Sequence, residues 1–188
     1  MEVRALLDVL HVAERLKDEL RHCDTSKGRR ESVAEHSWRI ALMALFMQDE
    51  FPELDMNKVV RMCLIHDLGE CFTGDIPTFL KSKEDEKKED EALAAWVRSL
   101  SEPYCTELAD LYAEMNALQT GEARLYKTLD KLEAVIQHNE ADIRTWEPHE
   151  YKLNLTYAND IVAGTPYLEQ LREAIRDDTK QKIAEAQK

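Results

Sequence analysis

Two histidines and two aspartates are spaced so that they could share one ion: His36, the adjacent pair His66 and Asp67, and Asp130. Val33, His36, Ile40, Met43 and Met47 fall at helical spacing, which puts His36 inside an apolar stripe. His66 shares a helix face with Val59, Met62 and Cys63, near the end of its helix. Asp67 follows directly. Neighbouring helical residues diverge by about 100°, yet both reach an ion placed at a helix end. An ionised aspartate in apolar surroundings is costly unless it is paired or binds a metal. Glu70 comes one turn after His66 on the same face. Asp130 flanks the stripe Leu125, Leu129, Leu132 and Ile136, with Tyr126 and Glu133 on its own side. Singly, each residue has an ordinary structural reading, a core histidine or a helix-surface aspartate paired with Lys127 or Lys131. Together, two imidazoles and two carboxylates suit one divalent ion drawn from Mn, Co, Fe, Ni, Zn or Mg, with waters completing its shell. Such an ion lowers the pKa of bound water and polarises a phosphoryl oxygen.

The elements that must hold these residues read as helices. Apolar residues at helical spacing predict a helix over 3–22, then a polar, basic loop, CDTSKGRR. A second helix is expected over 31–50, stopping near Pro52, and a third from Asp55, its N-cap, to about Gly69. CFTGDIPT reads as a turn region. The charge run KEDEKKEDE reads as the solvated start of a helix, because Leu93, Trp96, Val97 and Leu100 continue its spacing. Further helices are expected after Pro103, over 121–142, and after Pro148 with a break near Gly164 and Pro166. No strand is expected. The chain thus reads as one all-α domain over 1–188, a helical bundle with its motif core over 31–142 and C-terminal helices over 148–186.

The formal net charge is −13, so a nucleic-acid polymer or an anionic membrane would be repelled by most of the surface. A small anion remains compatible, because local cations or a metal outweigh a distant field. The longest apolar run, Ile40 to Met47, falls far short of the ~20 residues that span a bilayer. Charge in every turn of the N-terminus excludes a signal peptide. Cys23, Cys63, Cys71 and Cys105 form no CxxC pair, and they read as thiols of a cytoplasmic protein.

The segments ESVAEHSWRIALMA, LIHDLGECFTGDIPTFLK and EARLYKTLDKLEAVIQHNEADI carry the pattern H…HD…D. They resemble the HD-domain metallohydrolases, in particular their 5′-deoxynucleotidase branch, over about residues 3–165. The resemblance implies a helical HD fold, a single divalent metal and hydrolysis of deoxynucleoside 5′-monophosphates to nucleoside and phosphate. It also implies a homodimer. Glu70 matches the family's catalytic acidic residue, Asp75 an aspartate at the site, and Arg21 an arginine that binds the substrate phosphate. His22 stands where the bacterial members carry tryptophan. HD enzymes with two metals carry extra histidines between the HD pair and the last aspartate. No histidine lies between Asp67 and Asp130, and the others are His11, His22, His138 and His149, which favours one metal. Of the loop cations Lys27, Arg29 and Arg30, Arg29 is the expected second phosphate contact. The alternatives are a phosphomonoesterase acting on a ribonucleotide or another small ester, and a metal-binding regulatory module without turnover. Trp38, Trp96 and Trp146 are expected to pack between helices, and Thr78 and Thr120 to cap them.

Overall fold

The computed structural model describes residues 1–77 and 80–187; Thr78, an expected cap, lies outside them. The chain is all-α apart from one small hairpin. Its helices are α1 (Val3–Ala13), α2 (Val33–Phe46), α3 (Met56–Ile65), α4 (Glu70–Thr73), α5 (Lys83–Ser99) and α6 (Tyr104–Ala117), followed by α7 (Gly121–Glu140), α8 (Glu150–Thr156), α9 (Asn159–Val162) and α10 (Pro166–Ala186). Local chemistry sets the starts. Ser32 and Glu35 form a capping box on α2, and Ser82 and Asp85 form one on α5. Asp55 accepts from the Lys58 amide and Thr120 from the Ala123 amide. The charge run therefore does begin a helix, and Thr120 does cap one.

The expected first helix is the main departure. α1 ends at Ala13, a 3-10 turn covers Glu14–Lys17, and the chain then extends as strand β1 (Leu20–Asp24), antiparallel to β2 (Arg30–Ser32). Leu20 pairs with Ser32 and Asp24 with Arg30, with a bulge between them. The turn needs the positive φ of Gly28, 78°. Leu20–Asp24 shows no apolar–polar alternation, and the three residues of β2 are too few to show one. α2 is also shorter than expected, starting at Val33 and giving way after Phe46 to a 3-10 turn at Gln48–Glu50.

α2, α3 and α7 pack on one another, and α10 closes over α7. Ile40, Val59, Met62, Cys63, Leu129 and Leu132, all sealed from solvent, form the centre of the core. α3 stops at Ile65 rather than near Gly69. Tight turns follow, with Leu68 N donating to Ile65 O and Glu70 N to Asp67 O, before the single turn of α4. Trp146 is buried and Trp96 rests against Phe72, but Trp38 is 59% exposed, contrary to expectation. Among the described residues, no helix is long and apolar enough to cross a membrane.

Candidate metal centre and its cavity

The break after α3 lets His66 and Asp67 turn toward the same point. His66 Nδ1 donates to Cys63 O at 2.9 Å, which turns Nε2 toward the site. That nitrogen lies 3.0 Å from Asp67 Oδ2 and 3.8 Å from Asp130 Oδ1. His36, sealed in α2, contacts Glu133 Oε2 through Nδ1 at 2.5 Å and faces Asp130 Oδ1 through Nε2 at 3.2 Å. One ligand-type atom from each of His36, His66 and Asp67 falls within 4.8 Å of the others. His66 Nε2 and Asp67 Oδ2 are buried without a hydrogen-bond partner. A lone pair facing a carboxylate is relieved only by a proton or a cation, so His36, His66 and Asp67 fit a divalent ion by geometry and donor type, with Asp130 Oδ1 beside both imidazoles as a further oxygen donor.

Electrostatics point the same way. Burial acts to raise the carboxyls of Asp67 and Asp130. His66 and His36 outweigh it at Asp67, and Lys127 with both imidazoles outweighs it at Asp130, so both are held below the usual carboxylate range. Burial and Arg21 act to lower His36, but its bonds to Asp130 and Glu133 prevail and raise it to about 9. Glu70 goes the other way. Burial, then the charges of Asp67 and Asp75, push it up to about 10. Burial also raises Asp75, against the pull of Arg21.

These groups open on a cavity of about 460 Å³ lined at this end by Arg21, Asp67, Glu70, Asp75, Lys127 and Asp130. Arg21, on β1, reaches Asp67 Oδ2 through Nη1 at 3.6 Å and Glu31 Oε2 through Nε at 3.5 Å. The hairpin that replaced the expected helix is thus what presents Arg21. The far wall comes from β1, α7 and α8. There His22 and His138 direct Nε2 at Glu150 Oε1, at 3.2 and 3.5 Å.

The structure brings seven of the eight singled-out residues together, and Arg29 is the exception. Arg29 is 61% exposed, pairs with Glu35 at the start of α2, and is not among the cavity-lining residues. Arg30 spans the hairpin to the Arg21 and His22 carbonyls. The cations that do line the cavity are Arg21, Lys81, Lys127 and Lys131. Lys127 lies 2.7 Å from Asp130 Oδ2, so the surface-type pairing considered for Asp130 exists beside the metal centre. Sequence reasoning gave no role to Glu31 and Glu133. Only the i, i+3 spacing of Asp130 and Glu133 hinted that both face the same way.

The HD domain family model matches residues 13–172, and the chain belongs to that family. Within it, the chain is similar to the 5′-deoxynucleotidase HDDC2 proteins. It is 31% identical to that of Dictyostelium discoideum over 163 residues, covering 80% of this chain and 84% of the relative. It is 34% identical to the human protein over 114 residues, covering 60% of this chain and 55% of the relative. The chain thus spans about half the length of the vertebrate relatives it matches. Among solved structures it is similar to the predicted metal-dependent phosphohydrolase of Magnetospirillum magnetotacticum MS-1. That match has a TM-score of 0.77 at 30% identity and covers 96% of each chain.

Proposed function

We propose that this protein is a metal-dependent 5′-deoxynucleotidase, with residues 1–188 as one HD domain and His36, His66, Asp67 and Asp130 holding a single divalent ion. The observation that carries this reading is the convergence of two imidazole nitrogens on two depressed carboxylates that line a cavity with Arg21. The 5′-deoxynucleotidase relatives supply the substrate class. Bound there, the ion supplies an acidified water and a polarised phosphoryl oxygen. Arg21 neutralises the phosphate, with Lys127 in reach of the same end of the cavity. Glu70 and Asp75, both pushed toward the protonated form, form the acid–base pair. One carboxylate receives the proton of the attacking water, and the departing 5′ oxygen takes the proton held by the other. The sugar and base extend toward His22, His138 and Glu150.

The test is a panel of deoxy- and ribonucleoside 5′-monophosphates, assayed with the purified chain and added divalent ions. Metal-dependent release of phosphate from the deoxynucleotides, faster than from their ribose counterparts, is the expected result. Equal rates would reassign the enzyme to the wider phosphomonoesterases. No turnover despite bound metal would make it a binding module.

A homodimer fits this reading. The support comes from α1 and α2: Val3, Leu6, Leu7 and Leu10 form one exposed stripe, and Trp38, Leu45 and Phe46 are exposed on α2. A cytoplasmic location fits the four unpaired thiols.

A further inference from the structure

Behind the metal centre, on the side away from the cavity, three groups are sealed together. Glu31, His36 and Glu133 are each at most 2% exposed, and their ligand-type atoms lie within 4.8 Å of one another. Two buried carboxylates this close destabilise a fold unless each is engaged. Glu133 Oε2 takes His36 Nδ1–H, and its Oε1 faces Arg39 Nε at 3.6 Å. Arg39 is itself held by Gln137 and Glu140, so the compensating charge stays outside the metal centre. Glu31 Oε2 faces Arg21 Nε at 3.5 Å and accepts from the Cys23 thiol. Arg21 then points its Nη1 at Asp67. One buried acid stands behind a metal-site histidine, and its neighbour behind the arginine of the cavity.

We infer that Glu31 and Glu133 are positioning residues with separate clients: Glu133 fixes His36 for the metal ion, and Glu31 fixes Arg21 for the substrate phosphate. The inference rests on the metal and phosphate reading above. An imidazole whose Nδ1–H is tied to a carboxylate cannot turn, and its Nε2 is a stronger donor. The guanidinium is planar in itself, and an ion pair beside its Nε sets the direction in which its terminal nitrogens face a phosphate or carboxylate. Adjacent as they are, the two acids act on different ligands, so their effects on metal and substrate binding separate.

The experiment uses the full chain stripped of metal and titrated with Mn²⁺ alone by calorimetry. KM for dAMP and inhibition by inorganic phosphate are then measured at saturating Mn²⁺. Glu133→Gln is expected to weaken Mn²⁺ binding about 10–100-fold, and Glu133→Met, which removes the acceptor, at least as much. KM at saturating Mn²⁺ stays close to wild type in both. Glu31→Gln is expected to leave Mn²⁺ affinity near wild type while raising KM and the phosphate inhibition constant roughly tenfold. The Gln variants keep the shape of the buried side chains, so folding is retained even if the Met variant is lost. Equal shifts of both constants in both variants would reduce the pair to general packing and overturn the assignment. So would a second equivalent of Mn²⁺ in the wild type that Glu133→Gln abolishes, because the triad would then be a ligand site. Wild-type protein that binds no Mn²⁺ would instead remove the metal reading on which the inference stands.

Discussion

Asp67 and Glu70 sit three residues apart across the same break in the chain, and both line one cavity. Burial acts to raise both carboxyls. At Asp67 the two imidazoles overcome it and the group stays ionised. At Glu70 the charges of Asp67 and Asp75 add to the effect of burial, outweigh Arg21, and the group rises to about 10. Proximity to histidine on one side and to carboxylates on the other is enough to give two similar side chains opposite protonation states. An ionised ligand and a proton-carrying neighbour in reach of one phosphate are what metal-assisted hydrolysis needs.

The strongest way to break the contrast is at Asp67. Asp67→Asn removes the ionised ligand and relieves the like charge on Glu70. It is expected to abolish Mn²⁺ binding in calorimetry and to reduce phosphate release to background. Retained metal affinity would show that Asp67 is no ligand. Glu70→Gln attacks the other side. Its phosphatase rate is expected to fall roughly 10²–10⁴-fold, the range for loss of a general acid or base. Mn²⁺ affinity should change little. A loss of metal binding on the same scale as the loss of rate would move Glu70 into the ligand set and erase the distinction.

What could be read from the sequence divides along a similar line. Strong local signals carried over: the Asp55 and Thr120 caps, the charged start of α5, and the apolar spacing around His36. The four candidate ligands were legible only together, by their convergence and by the flanking segments, because each alone has an ordinary structural reading. β1 was not, because Leu20–Asp24 continues the helical spacing of α1 without a breaker, and only its pairing with β2 makes it extended. Arg29 was preferred for its closeness in sequence to the motif. In space it is spent on Glu35, and Lys127, from a helix a hundred residues further on, lines the cavity instead. Glu31 and Glu133 look like ordinary charged residues in the sequence. Their burial follows from the packing of α2, α7 and the hairpin, and no spacing within one segment records that.

The contrast should also show in the stability of the metal-free protein, where the effect is smaller but its sign is fixed. Glu70 rises from 4.5 to about 10, and Glu31 from 4.5 to about 7, mainly by burial. In the folded state each holds a proton that the unfolded chain has released. Their stabilisation is complete below about pH 4.5 and is lost as pH rises toward 7 for Glu31 and 10 for Glu70. Asp67 and Asp130, held low, contribute above the usual aspartate pKa and lose that contribution as pH falls. In chelator, the unfolding temperature should therefore be highest in mildly acidic buffer and decline through pH 6–9, where Glu70 and also His36, raised from 6.5 to about 9, lose their stabilising protons. Glu70→Gln should flatten that decline the most. Asp75→Asn should flatten it less, by removing its own raised carboxyl and one of the like charges, with Asp67 and Glu89, that lift Glu70. If the Asp75→Asn protein kept the wild-type slope, Asp75 would have no share in raising Glu70. The elevation would then belong to burial, Asp67 and Glu89.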